Sequence, residues 1–556
     1  MTLRVTPWGK DDFKATSEEA ESKDWAYWQN RLNRASLVML AEEGIIDKNI
    51  VPRIAAAQKH AEDLQNLPGA PRLTDIMPLE KMLIESCGEE ATLIHTGRSR
   101  QDMFTTLNEA RLRLAVLDFY EALNKLRTRL LSIARENIET YIPAYTNGVQ
   151  AMPITLAFYL WGFLESFQRD SDRIIESYKR INQSALGVAV LACSSWPLNR
   201  ERLAELLGFE KPITNGLDAA QISLFDIPLE AASNAANVAI RIGTLVQDLA
   251  QQYSQTRPWL LLDSGAAYGS SAMPQKRNPG ILNKTRGIAS DVVGAMQTSF
   301  LRAHNLQLGM YDNKESVLED CSGVFVKGVE MLELMEQGFS LLKVNPARSL
   351  EELNSDWTTT MALAEALQRQ FEIPFRIGHT FASQIVTYAR ARDLHPDNFP
   401  FEAAKEIFGN VTEQLEDKRL PFELTQEEFR TVLSPEHAVQ SDVGTGSPAP
   451  ANVRRGLDEI AIRLEEDEQR LRAWRNALAD SDKALDEAFE KLLNNKSQEK
   501  NYDLDWISNR RCHVLSHLQE LRSAFGFSFV RLGDGVHRTS CCRHKRRSLC
   551  RCGCFR

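Results

Sequence analysis

The stretch LNEARLRLAVLDFYEALNKLRTRLLSIARE, residues 107–136, decides the fold class of this 556-residue chain. Its apolar residues recur every three or four positions, and alanine, leucine, arginine and glutamate are frequent among the rest. This spacing places the apolar side chains on one face of an α-helix, and these residue types favour helix. Three further segments show the same pattern: Ile154–Asn182, Leu229–Tyr253 and Val324–Leu342. No regular alternation of strands and helices accompanies them, so the sequence predicts an all-α fold with a long central helical bundle.

Proline- and glycine-rich breaks suggest how the chain divides into domains. They lie at Pro143, Pro153, Pro197, residues 265–280, Pro374 and residues 444–450. Such residues interrupt helices and mark loops. We expect an N-terminal helical domain over residues 1–113, a central bundle over 114–369, a C-terminal helical domain over 370–496 and a separate tail over 497–556.

Charge and hydropathy exclude several classes of protein. The formal net charge is −9, yet the last 46 residues carry ten Lys and Arg against two acidic residues, so the body of the chain is acidic. Nucleic-acid binding needs clustered Lys and Arg, and crossing a bilayer needs about 20 consecutive apolar residues. We expect neither nucleic acid nor membrane as a partner. The start, MTLRVTPWGKDDF, lacks the apolar core of a secretory signal, so we expect a cytoplasmic protein.

Cysteine usage separates the body from the tail. Before residue 500 the chain has three cysteines, whereas six lie after it, at Cys512, Cys541, Cys542, Cys550, Cys552 and Cys554. Three scattered cysteines fit a reducing compartment. The tail has no CxxC pair, so a zinc site has weak support. We expect a disordered tail, with a basic nucleic-acid-binding tail as the alternative. The sequence indicates no metal site, no dinucleotide fingerprint and no cofactor.

The segment GAAYGSSAMPQKRN, residues 265–278, carries the strongest chemical signal. Glycine and serine make a flexible loop, Pro274 stiffens it, and Lys276 and Asn278 add a cation and an amide. Adjacent backbone N–H groups with a lysine can bind a carboxylate or stabilise a serine oxyanion that acts as a base. On composition alone a surface turn is the simpler interpretation. The loop is not a phosphate-binding P-loop, because the Gly-Lys-Ser/Thr sequence is missing.

Within this loop, residues 269–278 resemble the GSSxMPxKxN signature of the fumarase/aspartase superfamily. Residues 95–102, HTGRSRQD, resemble the HTGRSRND block of argininosuccinate lyases. Weaker similarities lie at residues 189–209, 374–379 and 433–453, and a GSxAH block is faintly echoed by Asn33–Ser36. The resemblance covers roughly residues 20–470. It implies a three-domain helical fold and a homotetramer whose active sites each combine segments from three subunits.

The resemblance also implies an activity and its residues. The reaction is the reversible elimination of fumarate from an N-substituted aspartate, so the partners are a dicarboxylate substrate and an amine. By motif position Ser270 is the base that removes a proton next to the β-carboxylate. The dianion formed needs fixed donors and cations. The substrate-binding residues expected from the matched motifs are Ser99, Arg100, Gln101, Thr146, Asn147, Lys276, Asn278, Tyr311 and Lys314.

Departures from the family concentrate on the amine side. Asn147 stands where argininosuccinate lyases have a histidine, and Asn283 stands at the glutamate that pairs with it. Neither amide titrates near neutrality. Leu306 and Tyr311 occupy the positions of the Tyr and Gln that contact arginine, and Gln101 replaces an Asn. Losing such polar contacts should weaken an arginine-like substrate.

We therefore expect a carbon–nitrogen lyase acting on an N-substituted aspartate other than argininosuccinate. Argininosuccinate lyase proper is the close alternative, because overall similarity is greatest to that enzyme. A catalytically inactive relative, like the lens crystallins of this family, is a third hypothesis, and a nucleic-acid role of the tail is a fourth. The group that protonates the leaving nitrogen stays open among water, the substrate itself and Thr146.

Overall fold

The computed structural model describes residues 23–416 and 418–494. The chain separates into two units, Met1–Ser497 and Gln498–Arg556. The second unit lies outside the described residues, and so do the predictions made for the tail over 497–556 and for the first 13 residues.

Helices make up most of the described chain. They are α1 (Trp25–Glu42), α2 (Val51–Gln65), α3 (Ile76–Cys87), α4 (Arg100–Glu136), α5 (Leu156–Ile181), α6 (Arg200–Leu206), α7 (Ser223–Tyr253), α8 (Gly280–Ala303), α9 (Tyr311–Ser340), α10 (Pro346–Asn354), α11 (Thr360–Phe371), α12 (Phe375–Arg390), α13 (Phe401–Glu416), α14 (Gln426–Val432), α15 (Pro435–Ser441) and α16 (Pro450–Asn494). A 3₁₀ segment spans Glu89–His95 and a π-helical segment spans Asp218–Ile222. The predicted helical fold class is confirmed.

The strands are short and form two-stranded ladders. They are β1 (Tyr141–Thr146), β2 (Val149–Thr155), β3 (Gln183–Ser184), β4 (Lys211–Pro212), β5 (Leu260–Leu262), β6 (Tyr268–Gly269), β7 (Arg277–Asn278) and β8 (Leu342–Val344). β1 pairs with β2, β5 with β8 and β6 with β7 in antiparallel fashion, while β3 pairs with β4 in parallel.

Six long helices, α4, α5, α7, α8, α9 and α16, pack side by side into the central bundle. Their apolar faces share one continuous core with α1 and α2. A second, smaller core lies between residues 357 and 433, where Phe381 of α12 packs edge to face on Phe408 of α13 and Phe429 of α14 packs at a tilt against Phe399. Within residues 23–416 and 418–494 no helix is both long and apolar enough to cross a bilayer. The domain limits drawn from the sequence remain a prediction.

The largest difference from the sequence analysis is the hairpin β1–β2. Pro143 and Pro153, which predicted helix breaks, lie opposite each other within this ladder. Asn147 and Gly148 connect the strands with φ of 50° and 79°. Positive φ at both residues is the requirement of a two-residue type I′ turn, and Asn-Gly is the dipeptide that meets it most readily. The local sequence therefore specifies the hairpin.

A buried ion pair joins three helices of the bundle. The guanidinium of Arg127 on α4 lies 2.7 Å from the carboxylate of Asp467 on α16, and the Arg127 side chain is 0% exposed. Ser171 on α5 donates to the same carboxylate at 2.8 Å, and Gln168 on α5 accepts from Arg127. These polar contacts fix the axial positions of α4, α5 and α16 relative to one another.

This ion pair gives a stability prediction. Asp467→Ala leaves the Arg127 charge buried without its carboxylate, and we expect the free energy of unfolding to fall by about 3–5 kcal/mol. Asp458→Ala removes the carboxylate of a solvent-exposed pair with Arg135 at 2.9 Å and should cost less than about 1 kcal/mol. Urea unfolding followed by circular dichroism measures both. Equal losses would show that the buried pair has no special weight.

Candidate active site

The signature loop is closed by a short ladder. Tyr268 pairs with Asn278 and Gly269 with Arg277, so residues 270–276 form the loop of a hairpin. The Asn278 side chain donates to the Tyr268 carbonyl at 3.3 Å across this ladder. Inside the loop the Lys276 N–H donates to the Met273 carbonyl at 3.1 Å, a four-residue turn with proline in its second position. This turn fixes the path of the chain from the serines to Lys276.

Ser270 has an environment suited to carrying negative charge. Its hydroxyl oxygen accepts from the backbone N–H groups of Ala272 at 3.2 Å and Met273 at 3.1 Å. Two donors on one oxygen stabilise its anion, which is what a serine base requires. Ser270 is half-buried, whereas Ser271 and Lys276 are exposed. Within the described residues no basic side chain is hydrogen-bonded to Ser270.

The second motif forms the N-terminus of α4. Ser99 is the capping residue: its hydroxyl accepts from the Gln101 N–H at 3.4 Å, while Asp102 accepts from the Ser99 N–H at 2.8 Å. Arg100 is exposed, with its guanidinium 3.1 Å from Asp75 and over the ring of Phe104. A helix N-terminus with an exposed arginine fork suits a carboxylate.

Arg98 of the same motif has a structural role. Its guanidinium donates to the Ser36 hydroxyl at 2.7 Å, to the Asn33 side chain at 3.0 Å and to the Leu32 carbonyl at 3.2 Å. These contacts tie the motif to α1 and involve the residues that faintly echo the GSxAH block. Beside it, burial lowers the pKa of His95 to about 3, so this histidine is neutral under physiological conditions.

Two buried carboxylates on α4 hold the turn that follows β3. Asp102 accepts from the N–H groups of Gly187 at 2.9 Å and Ala189 at 3.0 Å, and Glu109, two turns along the helix, accepts from Ala185 at 3.1 Å. Alternate N–H groups of residues 185–189 thus face α4. Gly187 and Ala189 have φ of 89° and 55°, a conformation that is unfavourable for alanine and needs such anchoring. Burial raises the pKa of Asp102 to about 6 and that of Glu109 to about 8.

The π-helical segment brings two motifs together. Gln101 donates to the Ala220 carbonyl at 3.2 Å, and the next residue, Gln221, accepts from the Lys314 ammonium. Gln221 also accepts from the Gly309 N–H at 2.9 Å. π-helical turns are rare and recur at functional sites. Residues 99–101 and the start of α9 therefore lie at one site within a single chain.

Lys314 is a buried cation with a neutral partner at this site, and Tyr311 has an unsatisfied hydroxyl. Lys314 is 0% exposed, and none of the ion pairs in the described part of the chain involves it. Burial lowers its pKa. Burial raises the pKa of Tyr311, and its hydroxyl makes no hydrogen bond of ordinary geometry with a described residue, although Thr105 lies nearby. A buried cation and an orphaned hydroxyl are arranged for an acceptor such as a carboxylate.

The remaining predicted residues make no hydrogen bond to the described residues of this cluster. Thr146 and Asn147 are exposed at the tip of the β1–β2 hairpin, and Asn283 is exposed near the start of α8. Among the described residues no hydrogen bond or ion pair joins the hairpin tip, the Ser270 loop and the Gln101–Lys314 cluster. Nor do residues 23–416 and 418–494 contain a group of three or more metal-ligating side chains.

Comparison with known proteins decides the family. Residues 27–294 match the protein family described as Lyase, and residues 357–440 match the family described as Argininosuccinate lyase C-terminal. Argininosuccinate lyase 1 of Shouchella clausii is 30% identical over 465 residues, which cover 81% of this chain and 90% of that protein. The chain belongs to the argininosuccinate lyase family.

A more distant relative and two solved structures are also similar to this chain. The argininosuccinate lyase of Methanocaldococcus jannaschii is 28% identical over 82% of this chain and 90% of that protein. A fumarate-bound variant of EDDS lyase superposes with a TM-score of 0.75 and 24% identity over 89% of this chain and 99% of that one. Class II fumarase of Schistosoma mansoni has a TM-score of 0.58 and 16% identity over 74% and 90% of the two chains. This lyase is therefore an argininosuccinate lyase-like member of the fumarase/aspartase superfamily, and a carbon–nitrogen lyase that releases fumarate.

Sequence reasoning missed the residues that hold the candidate site together. The Gln221 side chain accepts hydrogen bonds from Lys314 and from the Gly309 N–H. Glu109 and Asp102 hold the turn of residues 185–189. A single buried glutamine in a helical stretch has no sequence signal. Asp102 and Glu109 could have been recognised in the sequence, because they lie seven residues apart on one buried helix face and buried carboxylates need hydrogen-bond partners.

The buried acid at position 109 gives a pH prediction. In the unfolded chain a glutamate titrates near 4.5, whereas burial raises the pKa of Glu109 to about 8, so the folded lyase holds this proton between those values. Stability should fall as the pH rises from about 5 to 8, because the unfolded chain releases this proton over that range while the folded state keeps it. Glu109→Gln cannot ionise and should lessen that loss by on the order of 2–4 kcal/mol.

Melting temperatures of the lyase at pH 5 and pH 9 measure this effect. Glu459→Gln, which changes an exposed glutamate of α16, is the matched control and should retain the parent slope. A Glu109→Gln variant as pH-sensitive as the parent would contradict the assignment.

Proposed function

We propose that this lyase joins fumarate to an amine other than arginine, or releases fumarate from the corresponding N-substituted aspartate. The proposal rests on a contrast between two parts of the candidate site, the Ser270 loop and the amine side. The Ser270 loop keeps its serine, lysine and asparagine, with two N–H groups on the serine oxygen, while the amine side has lost polar groups.

Ser270 acts as the base in the proposed reaction. Its alkoxide removes the proton from the carbon next to the β-carboxylate, and the electron pair moves into that carboxylate as a dianion. The C–N bond then breaks, fumarate forms and the amine takes up a proton. Lys276, Asn278 and Arg100 supply the charge and hydrogen bonds that the dianion needs, because a carbon acid this weak ionises only among fixed donors.

The cluster on the π-helical segment binds the other substrate groups. Lys314 is buried with a neutral amide as its partner and therefore suits a substrate carboxylate. Ser99 and Gln101 lie on the adjoining helix N-terminus, and the Tyr311 hydroxyl is available as a donor. Leu306 offers no hydrogen bond to a guanidinium, which removes one basis for binding arginine.

Asn147 and Asn283 change together in this proposal. Retaining one member of the family's His–Glu pair would leave an unpartnered polar or charged group in the closed site, so a joint replacement is favoured. An asparagine at the hairpin tip also meets the positive φ of residue 147. Asn147 and Thr146 bind substrate without titrating, and water, the substrate or Thr146 protonates the leaving nitrogen.

The active sites are completed between copies of the chain, in a homotetramer. Among the described residues, no hydrogen bond or ion pair joins the Ser270 loop, the hairpin tip and the Gln101–Lys314 cluster. The bundle exposes Ile240, Phe300 and Leu301, and Gly287 and Gly294 on α8 have open space above them, as helix faces packed against another copy would. Cytoplasmic location and a role in amino-acid metabolism complete the proposal.

Argininosuccinate lyase proper is the second candidate, because relatives of that name share 30–32% identity with this chain. An inactive, crystallin-like role is the third. The three hypotheses predict different results when the protein meets fumarate and amines.

We expect loss of fumarate absorbance when the purified protein is incubated with fumarate and at least one amine, with arginine among the poorest. The reason is that Leu306 gives a guanidinium no acceptor, and Tyr311 offers one hydroxyl where the family has the amide of a glutamine. Arginine as the best amine would support argininosuccinate lyase instead, and no consumption with any amine at high protein concentration would support the inactive relative.

Ser270→Ala should lower turnover with the preferred amine by at least about a thousandfold, since the base is lost. Sedimentation should show an unchanged assembly. Ser271→Ala, which alters the exposed neighbouring serine, is the control and should keep most of the rate. A Ser270→Ala variant with near-parental turnover would remove the base assignment.

A further inference from the structure

A belt of exposed apolar side chains borders the Gln101–Lys314 cluster. The belt is defined by Val190, Leu191, Trp196, Leu217, Ile222, Leu308 and Met310, which are 37–56% exposed. Single exposed apolar residues are ordinary, whereas a contiguous group marks a binding surface.

Three separate segments supply the belt, and backbone contacts place them next to each other. Gly216 lies against the loop of residues 190–196: a Cβ added to it would come within 3.1 Å of the Leu191 carbonyl and 3.2 Å of the Cys193 sulfur. Leu217 is therefore beside Leu191. On the other side the Gly309 N–H reaches the Gln221 side chain at 2.9 Å, which brings residues 308–310 to Ile222.

Asp102 and two of the proposed substrate-binding residues hold the segments that carry the belt. Asp102 holds residues 187–189 at the base of the loop that carries Val190 and Leu191. Gln101 holds Ala220, two residues before Ile222, and Lys314 holds Gln221. A polar floor with a buried cation thus lies beside a rim of carbon atoms. Such an arrangement fits a ligand with a charged head and an apolar body.

We propose that the belt receives the apolar body of the amine, so that the amine partner is a primary amine with an aliphatic or aromatic group. This inference rests on the proposed function and names the class of its second substrate. A guanidinium or a second ammonium placed against the belt would lose its hydration without gaining a hydrogen bond, so the belt selects against arginine and diamines.

The test compares two amines of equal length, hexylamine and hexamethylenediamine, together with arginine, in the fumarate-consumption assay with the full-length protein. We expect kcat/KM for hexylamine to exceed both others by at least about tenfold, the discrimination that a hydrophobic pocket can supply. Ile222→Asn and Leu308→Asn should each raise KM for hexylamine about tenfold while KM for fumarate stays constant. Ile462→Asn, at an exposed isoleucine of α16, should change neither constant.

A preference for the diamine or arginine would overturn the inference while leaving the lyase activity in place. So would belt variants that sediment as smaller assemblies and lose all amines equally, because the belt would then be covered by another copy of the chain. If the wild-type protein consumes fumarate with none of the amines tested, the proposed function itself fails, and this inference fails with it.

Discussion

One buried carboxylate holds the candidate site together. Asp102 accepts three backbone N–H groups, from Ser99, Gly187 and Ala189, and is 0% exposed. It fixes the N-terminus of α4, on which Ser99, Arg100 and Gln101 lie, against a turn with a left-handed backbone conformation. Burying a charge is costly unless hydrogen bonds compensate it, and here they are all backbone donors whose positions the helix bundle sets. The bundle therefore determines the geometry at its end.

The long helices of the bundle could be predicted from the sequence more fully than their ends and the loops between them. Apolar periodicity predicted the long helices, because each buries one face along its whole length. Their ends were harder: α4 begins at Arg100, where Ser99 and Asp102 form a reciprocal cap, rather than at the first strongly periodic residue. The hairpin could have been read from Asn147–Gly148, but two prolines suggested helix breaks, and both fit the β1–β2 ladder.

The sequence predicted only those parts of the candidate site that lie within short contiguous motifs. The Ser270 loop and the 95–102 block are short motifs whose predicted roles come from the family resemblance, and the chain belongs to that family. The meeting of Gln101, Gln221 and Lys314 is different, since it joins positions more than 90 residues apart through one π-helical turn. The polar floor at that meeting point could be recognised only in three dimensions, as could the apolar rim beside it.

The environments of Ser270 and Lys314 show what each group lacks within the described part of the chain. The oxygen of Ser270 has two N–H donors but no described cation bound to it, whereas Lys314 is a buried cation with a neutral partner. Each is unfavourable alone: the first cannot ionise near neutrality, and the second has lost much of its hydration. A dicarboxylate between such groups would relieve both, because its negative charge compensates the lysine while its acidic carbon meets the serine. Binding of a dicarboxylate would therefore link two groups that no hydrogen bond or ion pair joins among the described residues.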